Sequence, residues 1–152
     1  ERFLEITVPV TTKEQIKEIK KAVTHIAKKH DEEPYKALAT TQQAIFHQLE
    51  EQDEIDAAAI FDKVFEEKPL AREAAQLAIT EERVPEKIAV TNVPKYERKY
   101  SKQKFKLDNG IEITIPSEIY ENKEMVEFIN NPDGSVSVLI KNIESILNKF
   151  NA

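Results

Sequence analysis

The residues best suited to chemistry are cations. The run KYERKYSKQKFK places Lys95, Arg98, Lys99, Lys102, Lys104 and Lys106 among Tyr96, Tyr100 and Phe105. Ammonium and guanidinium groups neutralise phosphates and aromatic faces stack on unpaired bases, so the run is a candidate polyanion surface with Tyr96 and Tyr100 as stacking positions. The same residues also fit a solvated linker entering an edge strand, where outward Lys104 and Lys106 would discourage strand-to-strand aggregation. Phe105 suits a core position better than a stacking one.

Other chemistries find less support. His25 and His30 are five residues apart on one predicted helix and so diverge, while His47 with Glu50 and Glu51 would need metal ligands from elsewhere. The acidic groups Glu32-Glu33, Glu50-Glu51-Asp53-Glu54 and Glu66-Glu67 fall at predicted helix ends, where capping and solvation account for them. No serine lies in a G-x-S-x-G elbow, and two glycines cannot furnish a phosphate-cradling loop. With no cysteine there is neither a thiolate nucleophile nor a disulfide framework. No enzyme activity, catalytic residue, metal, cofactor or small-molecule substrate is expected.

Charge is distributed unevenly along the 152 residues. The net charge is −6, yet residues 91–110 carry six Lys/Arg against two Asp/Glu. Residues 1–90 carry 13 against 19 and residues 111–152 carry three against seven, so the cationic run is a basic island in an acidic chain. A composition of 40% apolar and 33% charged residues is that of an ordinary soluble protein. No window approaches the roughly 20 apolar residues of a membrane span. The first residues lack a signal peptide's pattern, which makes the cytoplasm the expected compartment, and the absence of an initiator Met suggests an excised or processed chain.

The elements that must position these residues begin with a short extended segment over residues 3–10. Thr12 with Gln15 then resembles a capping box, and Ile16, Ile19, Val23 and Ile26 mark one face of a helix running to about His30. Pro34 opens a second helix with a stripe of Tyr35, Leu38, Gln42, Ile45 and Leu49, ending near Glu51. Asp53 is a candidate cap for a third, with Ala57, Ile60, Phe61, Val64 and Phe65 on its apolar side. A fourth, Leu70 to about Arg83, offers Ala71, Ala74, Ala75 and Ala78 for close packing and Leu77 and Ile79 for bulk. Periodicity then fails from Val84 to Ser101, where Pro85 and Pro94 indicate a connector with one short extended piece.

Both glycines close predicted hairpins. A three-residue loop Asp108-Asn109-Gly110 sets Phe105 opposite Ile113 and Leu107 opposite Ile111, whereas a two-residue turn would oppose Leu107 to Glu112. The same reasoning at Pro132-Asp133-Gly134 sets Phe128 opposite Val138 and Val126 opposite Ile140. Between the hairpins, Pro116-Ser117-Glu118 suggests a turn of helix. Ile143, Ile146, Leu147 and Phe150 suggest a short terminal helix over the sheet.

The glycine turn with its I-x-I strand, the ending EFINNPDGSVSVLIKNI and the segment DEIDAAAIFDKVFEEKPLAREAA together resemble the carboxy-terminal portion of the bacterial 37-kilodalton nucleoid-associated protein family. The likeness covers residues 50–150, with residues 1–49 similar only as amphipathic helices. It implies a non-enzymatic cytoplasmic protein found with the nucleoid and associated with DNA, and it supplies no functional residue to carry over.

The expected architecture is α+β: a helical region over 1–90, a basic connector over 91–103, and an antiparallel β-hairpin region with a C-terminal helix over 104–152. The expected function is association with double-stranded DNA through sequence-tolerant phosphate contacts of the six basic residues. The alternative is a protein-interaction or self-association module of a nucleoid protein whose DNA contacts lie in an amino-terminal part of a longer chain, with a homo-oligomer among its partners and the helices as its working face.

Overall fold

A computed structural model describes residues 11–149. The chain divides into two compact units, residues 1–100 and 101–152. The α+β class is as expected, with helices first and hairpins after them.

In the first unit, α1 (Thr12–Lys29) starts on a capping box one residue earlier than the sequence suggested. The Thr11 hydroxyl accepts from the Glu14 backbone N–H at 3.1 Å, and the Glu14 carboxylate accepts from the Thr11 N–H at 3.2 Å. Lys28 and Lys29 in the last turn complement the negative end of the helix dipole. Pro34 opens α2 (Pro34–Glu51) as predicted. The third helix, α3 (Ala57–Val64), is capped by Asp56 rather than Asp53, with the Asp56 carboxylate accepting from the Ala59 N–H at 3.3 Å. Next comes α4 (Pro69–Thr80), ending three residues short of the expected Arg83.

The predicted stripes meet in one core. Ile16, Ile19, Val23 and Ile26 pack with Ile45 and Leu49 of α2 and with Ile60, Phe61 and Phe65, all buried. Burying each such side chain contributes roughly 1.5–3 kcal/mol. Ala71, Ala75 and Ala78 are buried where α4 meets its neighbours, as small residues permit. Leu77, expected to add bulk, is instead 51% exposed.

Of two short strands, the first was not anticipated and the second is the one extended piece expected between Val84 and Ser101. β1 (Glu54–Asp56) and β2 (Lys87–Ala89) pair antiparallel, with Ile55 opposite Ile88 and both side chains buried. Three-residue strands give too little alternation for periodicity to reveal. Also where a connector was expected, residues Val93–Tyr100 form α5, which packs against α2. The Asn92 carboxamide oxygen accepts from the Lys95 N–H at 3.4 Å, a start signal that Pro94 in the first turn reinforces.

The second unit holds the two predicted hairpins. β3 (Lys102–Lys106) pairs with β4 (Glu112–Pro116), placing Phe105 opposite Ile113. β5 (Val126–Asn130) pairs with β6 (Val136–Ile140), placing Phe128 opposite Val138 and Val126 opposite Ile140. Both loops have three residues, and Gly110 and Gly134 adopt φ of 94° and 90°, the backbone region that favours glycine. The hairpins are separate two-stranded sheets rather than one four-stranded sheet. Between them α6 (Ser117–Tyr120) supplies Tyr120, whose ring lies 5.7 Å from those of both Phe105 and Phe128.

The expected terminal helix is not formed among the described residues. Residues 141–149 have no regular secondary structure, and Ile146 and Leu147 are 83% and 79% exposed. A helix of so few residues is marginal unless its apolar face is packed, because nucleation costs more than the few hydrogen bonds return. Phe150 and the extended segment expected over residues 3–10 lie outside the described residues.

Candidate nucleic-acid interface

The basic island spans two kinds of secondary structure. α5 exposes Lys95, Arg98 and Lys99, while its other face, Val93, Tyr96 and Tyr100, packs against the core of the first unit. In the second unit β3 exposes Lys102, Lys104 and Lys106, which alternate with buried Gln103 and half-buried Phe105. Alternate side chains of a strand share a face and stand about 6.8 Å apart, so the three ammonium groups form one row. Cross-strand neighbours on that face are Pro116, Thr114 and Glu112. Only Glu112, opposite Lys106, opposes the positive charge.

Tyr100 does not serve as the sequence suggested. Tyr100 is 2% exposed, so no base can lie on its ring, and burial pushes its phenol pKa up to about 12 with Tyr96 adding to the effect. Tyr96 is half-buried against the core, with the Lys95 ammonium 5.5 Å from its ring centroid. The spacing of Val93, Tyr96 and Tyr100, by three and then four, is a helical stripe that accounts for both tyrosines as core. Phe105 is likewise core, within the aromatic group of the second unit.

One cation beside this surface was not singled out. Lys20 of α1 has its ammonium 4.7 Å from the Tyr100 ring centroid. Lys99 reaches the same ring at 5.9 Å. Burial lowers the Lys20 pKa below its usual value, and the Lys99 charge lowers it further. Helical spacing alone could not reveal this, because Lys20 and Lys99 meet only through the packing of separate helices.

A groove of about 520 Å³ lies between α1 and α4 in the first unit. Its floor is formed by Ala22, Ile26, Ala74 and Ala78, with Lys21, Lys29 and Arg83 at its margin. His25 and His30, which helical spacing was expected to separate, both border it. Among the described residues no three His, Asp or Glu side chains gather as a metal site. His47 instead lies 3.4 Å from Glu50.

The family model described as NA37, nucleoid-associated protein YejK, matches residues 1–148. The match includes the first two helices, beyond the segment where the sequence motifs carry the resemblance. No curated protein and no solved structure matches the chain.

Proposed function

The chain belongs to the nucleoid-associated protein YejK family, and from that premise we propose that it associates with double-stranded DNA by sequence-tolerant phosphate contact. Lys95, Arg98 and Lys99 on α5 and Lys102, Lys104 and Lys106 on β3 are the contact residues. Nucleoid association is itself a cytoplasmic location. Among the described residues no helix is long and apolar enough to cross a membrane.

The observation that carries the reading is the outward row on β3. Its spacing of about 6.8 Å is close to the through-space separation of successive phosphates on one strand of B-DNA, which exceeds the axial rise of about 3.4 Å per charge because the backbone winds around the axis. Elsewhere the chain is acidic, so attraction for a polyanion is concentrated on these cations. Phosphate contacts fix position on the duplex without reading sequence. Binding by phosphate contact requires neither a cofactor nor a catalytic group, and the proposed role is non-enzymatic. Titration of duplex DNA at two salt concentrations, with the chain and with charge-reversed variants, tests it.

A second reading is favoured by a different observation. Leu70 and Leu77 of α4 are 68% and 51% exposed and lie seven residues apart, with Ala74 between them on the same face. Beside the α1/α4 groove this apolar ridge suits a partner helix, including that of a second copy. Concentration-dependent dimerisation without DNA binding, seen by light scattering and titration, would favour this module over the first reading.

A further inference from the structure

Lys20 and Lys99 come from helices far apart in sequence, yet both ammonium groups sit over the ring of Tyr100, at 4.7 and 5.9 Å from its centroid. The ring is buried in the core and attracts cations by its quadrupole, giving the two a common platform. Among the described residues neither ammonium has a carboxylate partner within ion-pair distance. Two like charges gathered in this way repel each other unless an anion is present. Burial and the Lys99 charge both lower the Lys20 pKa, as expected where a cation is held without a counter-ion.

We propose that Lys20 and Lys99, gathered on the Tyr100 ring, form a binding site for a phosphate group. The ligand class is a phosphate oxyanion, carried on a nucleic acid backbone or free in solution. Its nucleic-acid form rests on the DNA reading above and adds Lys20 to the contact residues. An oxyanion between the ammonium groups would accept from both and cancel their repulsion, whereas Tyr100 contributes as a platform and offers no stacking face.

The experiment follows the side-chain ammonium NMR signals of the full chain, titrated separately with pyrophosphate and with duplex DNA. It is accompanied by DNA affinity between 50 and 200 mM salt for the wild type, Lys20→Gln and Lys20→Arg. With one phosphate contact removed, Lys20→Gln should lose about 3.5-fold less affinity over that fourfold salt change, and Lys20→Arg should restore the wild-type dependence. The Lys20 and Lys99 signals should move with either ligand. Movement with pyrophosphate but no DNA binding would support the site for free phosphate and overturn the DNA reading. DNA binding with unmoved Lys20 signals and an unchanged salt dependence in Lys20→Gln would overturn this inference and leave the DNA reading standing. No movement with either ligand would overturn the site, and because that result is read on the wild type it does not depend on how a variant folds.

Discussion

The ring of Phe105 on β3 lies 5.1 Å from that of Phe128 on β5, which ties the first hairpin to the second across two separate sheets. Strand alternation does the rest. With Phe105 turned inward, Lys104 and Lys106 on either side must face outward.

Loss of this contact should loosen the second unit. Phe105→Ala or Phe128→Ala should destabilise it by about 3 kcal/mol, at the low end for aromatic truncation because both rings are only half-buried. The double variant should show a coupling of roughly 0.5–1.5 kcal/mol, and denaturant unfolding of the four chains measures it.

Tyr100 predicts a dependence on alkaline pH. Its phenol ionises at about 12 when folded, above its value of about 10 when unfolded. The raised value means that its contribution is fully present below about pH 10 and is lost as pH rises towards 12. Absorbance at the phenolate band should show a late-titrating component that is lost in Tyr100→Phe. Because the ring is buried, Tyr100→Phe should leave single-strand and duplex DNA affinity at neutral pH unchanged.

The capping box of α1 predicts a further loss. Thr11→Ala removes the side-chain acceptor for the Glu14 N–H and should cost about 1 kcal/mol by thermal or denaturant unfolding. Hydrogen bonds from Thr11 hold the Glu14 pKa below the usual glutamate value. Its contribution is therefore present above that value and fades as pH falls through the lower, folded value. Far-ultraviolet circular dichroism in acid should show less difference between Thr11→Ala and wild type than at neutral pH.

Much of the fold was legible because it is written in local patterns. The hairpin registers followed from matching Phe105 with Ile113 and Phe128 with Val138, with Gly110 and Gly134 supplying the left-handed backbone that three-residue loops require. The first four helices followed from apolar spacing and from Pro34 at a helix start. What escaped depends on tertiary packing. The Ile55–Ile88 pair joins residues from strands too short to display alternation. The helix at Val93–Tyr100 was hidden because prolines punctuate this stretch and its stripe of Val93, Tyr96 and Tyr100 spans only two turns. The terminal segment erred in the other direction, since Ile143, Ile146 and Leu147 have helical spacing but find no surface that would repay the ordering of a short helix.

At the interface, residue type and strand position were legible, and environment was not. Alternation along Lys102, Lys104 and Lys106 is a property of sequence once β3 exists. The burial of Tyr100 and the approach of Lys20 depend on how α1, α2 and α5 pack in the first unit, which no single-helix pattern encodes.

The central claim, phosphate contact through the basic residues of α5 and β3, is tested most directly by the affinity of this chain for duplex DNA between 50 and 200 mM salt. Six phosphate contacts predict a slope of log affinity on log salt near about −5, a loss of about three orders of magnitude over that range. Reversal of Lys99, Lys102 and Lys104 together to Glu should abolish binding. A salt-independent affinity, or binding unchanged by the triple reversal, would contradict the account.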